Sequence, residues 1–107
     1  MISACMKENA GKVVSLELSG HAMSGAFGHD IVCSAVSALA IATINNIEQM
    51  AGVALPVELS DGYLYASVPD DLNAEEDTKT QFLLTAFANA IKGIEAEYKD
   101  YLEVKIN

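Results

Sequence analysis

Between Ile31 and Ile44 the chain reads IVCSAVSALAIATI, an apolar run broken only by Ser34, Ser37 and Thr43. Such a run is too short to cross a bilayer, which takes about 20 apolar residues, and too long for an ordinary strand. Val32, Val36, Leu39, Thr43, Ile47 and Met50 recur at spacings of three and four, and alanines widen the apolar surface. The pattern predicts one largely buried helix from Ile31 to about Met50, with Asp30 as its N-cap and Gly52 closing it before Pro56. The rest of the fold has to supply the surface that buries it.

Short alternating segments on either side supply that surface. Met1–Lys7 places Ile2, Ala4 and Met6 on one face, and Val13–Leu18 places Val14, Leu16 and Leu18 on one face. Glu8–Gly11 turns between them, so the pair reads as a hairpin. Asp61-Gly62 joins Val57–Leu59 to Tyr63–Val68, the strongest hairpin signal in the chain. Asn73 and Glu76 have the spacing of a capping box. The helix they open carries Phe82 or Leu83, Ala86, Phe87, Ala90, Ile91, Ile94 and Tyr98 as its stripe, with Gly93 marking close packing or a weak point. Tyr101–Ile106 alternates once more. The order β-β-α-β-β-α-β predicts an α+β fold: a mostly antiparallel sheet of about five strands with two helices packed on one face. Without a linker or repeat, residues 1–107 are expected to form a single domain.

Charge narrows the partners. Six Lys and Arg against fifteen Asp and Glu give a formal charge of −9. The few basic residues are dispersed, so no nucleic-acid partner is expected. The N-terminus lacks the basic start and apolar core of a secretory signal. No membrane partner is expected, and the localisation expected is cytoplasmic. Two cysteines in such a chain are expected as reduced thiols, with a Cys5–Cys33 bridge the lesser option.

Chemistry concentrates between Ser19 and Ala38. Gly20, Gly25 and Gly28 punctuate what reads as a flexible loop from Gly20 to Asp30, and both histidines and Cys33 lie in or beside it. As third residue of a helix capped by Asp30, Cys33 would hold its sulfur near unpaired backbone N–H groups that favour the thiolate. Against this stands the plain reading of a small buried residue on an alanine-rich helix, and the two weigh about evenly. His21 and His29 compete as base, and spacing does not choose between them. Asp30 serves as cap, or orients an imidazole. Ser37, one turn beyond Cys33, supports the site or merely packs. His21, His29, Asp30 and Cys33 match no recurrent zinc spacing, so no metal is expected, and the glycines do not follow a phosphate-binding pattern, so no cofactor is expected. Cys5 reads as an incidental thiol.

Gly20-His21-Ala22, the glycine loop, and Asp30-Ile31-Val32-Cys33-Ser34-Ala35-Val36-Ser37 together resemble the ribosomal-processing cysteine proteases (Prp or YsxB-like proteins) of Firmicutes and related bacteria. Length, the apolar helix, the Asp61-Gly62 hairpin and the second helix extend the resemblance over the whole chain. It implies a cysteine endopeptidase that removes the N-terminal extension of a large-subunit ribosomal protein, after an aromatic residue in a hydrophobic segment. It also implies a homodimer. By the same resemblance Cys33 is the nucleophile, His21 its general base and acid, and Asp30 and Ser37 are supporting residues, with His29 a loop variant. The loop departs from the family in offering Phe27 and no basic residue. Two other readings remain: a non-catalytic ribosome-assembly or protein-binding module of the same fold, and a redox-sensing thiol.

Overall fold

A computed structural model describes residues 1–20 and 27–107, with backbone alone at 27–29. Strands β1 (Ile2–Asn9), β2 (Lys12–Ser19), β3 (Val57–Ser60), β4 (Tyr63–Ser67) and β5 (Leu102–Ile106) form one sheet, and helices α1 (Phe27–Asn46) and α2 (Ala74–Glu97) complete the expected order. The spatial order is β3-β4-β2-β1-β5. All neighbouring pairs are antiparallel except β1 and β5, so the sheet is mixed.

Alternation decides which face is covered. Ile2, Ala4, Met6, Leu16, Leu18, Leu64, Ala66 and Leu102 turn into one core with Val32, Val36 and Ile47 of the α1 segment and Leu84, Phe87 and Ile91 of α2. The two helices therefore lie on the same face of the sheet. The expected β2 pattern slips at its start. Lys7 pairs with Ser15 and Glu8 with Val13, which leaves Val14 bulged and exposed while Val13 is buried. An extra residue in one strand reverses the alternation beyond it. Gln81 of α2 braces this irregularity by bonding both the N–H and the C=O of Val13, each at 2.8 Å.

The apolar helix differs from expectation at both ends. It starts at Phe27, so Gly28 and Asp30 are helical, and Asp30 is a first-turn acid, not the N-cap. A carboxylate there complements the positive helix end, where the first-turn N–H groups have no intrahelical acceptor. At the other end, residues 47–51 form a π-helical turn closed by Gly52, whose N–H bonds to the carbonyl of Ile47. The wider turn rotates Ala51 inward and leaves Met50 61% exposed. The segment Asp30–Ala51 is long and apolar enough by composition to cross a membrane, yet 33% of its apolar window is buried in this compact fold. It is thus less buried than its sequence implies. On α2 the capping box is present in both directions, at 2.8 and 3.0 Å. Phe82 points outward, 75% exposed, because the buried stripe runs through Thr80, Leu84, Phe87 and Ile91.

Candidate active site

β2 ends between β4 and β1, where Ser19 faces both Tyr63 and Ser3. The next residue, Gly20, donates its N–H to the carbonyl of Gly62 in the β3–β4 turn at 3.0 Å. Its φ is +74°, and a Cβ there would stand 2.6 Å from the carbonyl oxygen of Met1. A side chain is therefore barred by both conformation and space. Gly20 pins the chain at one end of the sheet immediately before His21. His21 and Gly25 lie outside the described residues, as does the side chain of His29.

α1 presents Asp30, Cys33 and Ser37 along one side. Cys33 is the seventh residue of the helix rather than the third. Its own N–H is past the unpaired first turn, which removes the expected benefit of the helix end for its sulfur. The side chain is 2% exposed. Burial pushes the Cys33 thiol above its ordinary range; the Ser37 hydroxyl draws it part of the way back, and the negative charge of Asp30 raises it. Ser37 Oγ is itself buried, and its hydroxyl is directed to the Cys33 sulfur, where it favours the thiolate.

The electrostatics specify what is missing from the helix alone. A thiol raised by desolvation and by a neighbouring carboxylate becomes a nucleophile only beside a group that takes its proton and remains cationic. An imidazole does this, and Asp30, whose charge opposes the thiolate, favours the imidazolium. Among the described residues no group of three or more His, Cys, Asp or Glu could hold a metal ion. Cys5 is remote from this arrangement. It lies half-buried on the sheet face opposite the helices, where its sulfur accepts from Asn107 at 3.6 Å.

The model of the cysteine protease Prp family matches residues 1–103. The chain belongs to the Prp cysteine protease family. The ribosomal processing cysteine protease Prp of Bacillus subtilis (strain 168) is 32% identical over 110 aligned positions, which span 100% of this chain and 98% of the relative. Among solved structures, SMU.848 from Streptococcus mutans superposes with a TM-score of 0.90 at 33% identity, over 99% of this chain and 93% of its own. The essential ribosomal processing protease Prp from S. aureus, solved in complex with a substrate peptide, gives a TM-score of 0.89 at 25% identity with 100% of both chains covered. The mixed five-stranded sheet with two helices is the Prp fold.

Proposed function

We propose that this Prp-family chain is a cytoplasmic cysteine endopeptidase that removes the N-terminal extension of a large-subunit ribosomal protein, with Cys33 as nucleophile and His21 as general base and acid. The observation that carries the assignment is the placement of Cys33. It lies on α1 between the Asp30 carboxylate and the Ser37 hydroxyl, both of which act on its thiol, and Gly20 fixes the end of β2 immediately before His21 in the sequence. The names of the relatives support the substrate, since the B. subtilis protein is a ribosomal processing protease and the S. aureus protein was solved with a substrate peptide.

In the proposed reaction His21 takes the Cys33 proton, and the thiolate attacks the scissile carbonyl to give a tetrahedral oxyanion. Collapse expels the amine, which takes the proton back from His21, and leaves a thioester on Cys33. Water, deprotonated by His21, then hydrolyses the thioester and restores the thiol. Asp30 orients the imidazole and stabilises its cation, and Ser37 donates to the thiolate. Because Cys33 is almost fully covered, a segment beside it has to move before a peptide carbonyl reaches the sulfur.

A homodimer is supported by the outer surface of the helices. No charged residue occurs from Ile31 to Ile47 or from Thr80 to Ile91, although the chain carries −9 overall. Exposed Ile31 and Phe82 lie in these two uncharged segments, and two copies can meet there without opposing carboxylates.

The test is mass spectrometry of the host's ribosomal-protein precursor incubated with wild-type protein, Cys33→Ala, His21→Ala and Cys5→Ser. Cleavage by the wild type and Cys5→Ser alone is the expected result. Full activity in Cys33→Ala ends the proposal.

A further inference from the structure

The two edges of the sheet are finished differently. At the β5 edge, Glu95 of α2 reaches over and accepts the N–H of Val104 at 2.7 Å, and the exposed side chains of β5 are Glu103 and Lys105. A side-chain acceptor of this kind occupies a backbone donor that a further strand would need. At the β3 edge no described side chain does this. The exposed residues include Val57 and Leu59, the latter 64% exposed, in a chain otherwise rich in surface carboxylates.

The register fixes which backbone groups β3 offers. Ser67 donates to the carbonyl of Pro56 at 3.1 Å, and the pairing steps from there through Glu58 with Tyr65 to Ser60 with Tyr63. In an antiparallel ladder alternate residues bond inward, so Val57 and Leu59 turn their N–H and C=O groups outward. The side chains of these two residues share a face with buried Ala66 and Leu64, on the helix side of the sheet. There they line a groove of about 220 Å³ together with Ile41, Ile44, Asn45 and Leu64. The groove is therefore apolar on both walls and open along the strand edge.

That groove is walled by Ile41 and Ile44, on the flank of α1 that also carries Cys33 and Ser37. Cys33, Ser37 and Ile41 follow one another at intervals of four on the same side of α1. At 1.5 Å rise per residue, Ile41 lies about 12 Å from Cys33 along the helix, a span that about four residues of extended peptide cover.

We infer that the substrate peptide docks by strand addition to the free edge of β3, bonding the outward backbone groups of Val57 and Leu59 and placing an apolar side chain between Ile41, Ile44 and Leu59. The inference rests on the peptidase reading and adds where and how the peptide is held. Main-chain bonds to the edge give affinity that is tolerant of sequence, and the groove selects an apolar residue three or four positions from the scissile bond. An uncharged groove in an acidic protein also penalises a peptide that presents a carboxylate there.

Hydrogen exchange on the Cys33→Ala protein, with and without a synthetic peptide spanning the extension junction, tests the docking directly. Val57 and Leu59 amides are expected to gain protection on peptide addition, while amides of β5 stay unchanged. A Leu59→Lys variant in the wild-type background is expected to raise KM about tenfold with kcat nearly kept; Leu59 is exposed, so the fold does not depend on it. Peptides N-methylated one position at a time provide the second measurement. Methylation at alternate residues is expected to weaken binding to Cys33→Ala by about two- to tenfold per lost bond, and methylation between them to leave it unchanged. A peptide that is cleaved normally but gives no protection at β3, or loses nothing on methylation, overturns strand addition and leaves the peptidase reading intact. Protection at β3 without cleavage by the wild type keeps the docking and overturns the peptidase reading. No binding at all overturns both.

Discussion

Gly20→Ala is the perturbation that ties the backbone most directly to the chemistry. Placing alanine at φ +74° costs about 1–2 kcal/mol from conformation alone. The added Cβ would also sit 2.6 Å from the Met1 carbonyl oxygen, a backbone atom that cannot rotate aside. Relieving such overpacking costs about 1–3 kcal/mol. The total of about 2–5 kcal/mol corresponds to a fall in Tm of roughly 8–40 °C for a domain of this size. Gly52→Ala is the matched control: its φ is +72°, and a Cβ there meets nothing within 4 Å. It is expected to show the conformational cost alone, roughly 4–15 °C. Because any relief shifts the end of β2, kcat/KM of Gly20→Ala measured well below its Tm is expected to fall by about ten- to a hundredfold, the scale of ångström misplacement in catalysis. Gly52→Ala is expected to keep its kcat/KM. Differential scanning calorimetry and a fluorogenic peptide assay give both readings. A Gly20→Ala protein no less stable than Gly52→Ala, with undiminished kcat/KM, would refute the reasoning.

Other outcomes follow from the same geometry. In His21→Ala, iodoacetamide is expected to label half-exposed Cys5 before buried Cys33, and Cys33 labelling to rise only above the usual thiol range, as its raised pKa requires. The sign for stability is the same: the protonated thiol is favoured by folding, so this contribution is complete below the ordinary cysteine pKa and is lost as pH rises through the folded value. A pH series of chemical denaturation on His21→Ala against the His21→Ala/Cys33→Ala double variant reads that slope. Gly93→Ala is expected to stabilise by about 0.5–1 kcal/mol in urea titrations, because the site has open space around it and a glycine inside a helix has no packing role there. Asn73→Ala is expected to cost about 1 kcal/mol by the same measurement, since it removes the acceptor for the Glu76 N–H.

The sheet was legible because alternation, the Asp61-Gly62 turn and the Asn73–Glu76 spacing are local signals that tertiary structure had no reason to override. The departures have local causes with weak signatures. Val13 and Val14 are both valines, so composition could not say which would be bulged. The π turn at 47–51 has no distinctive sequence, and it alone sends Met50 outward in place of Ala51. The early start of α1 was hidden by Gly28, which reads as loop. That misplacement mattered chemically, because it made the helix end the source of Cys33 reactivity. The structure moves the burden to a proton acceptor beside a raised thiol. Cys33 itself was visible, but the difference between the two sheet edges was not, since it depends on the strand order and on Glu95 covering β5 alone.

The parallel pairing of β1 with β5 has a kinetic consequence. Ile2 faces Leu102, and Ile2 also donates to the carbonyl of Tyr101 at 2.9 Å. Contacts this distant in sequence close slowly, after the hairpins and helices have formed. Met1 and Gly20, by contrast, meet early, because the β1–β2 hairpin that pairs Ser3 with Ser19 brings them together. A folding intermediate with both hairpins and α1 in place would already hold Cys33 and the Met1–Gly20 contact, yet would lack β5, the edge strand that flanks β1. Such a chain has its thiol before its sheet is finished, so full resistance to denaturant should appear as the final phase of refolding and lag the recovery of helical signal.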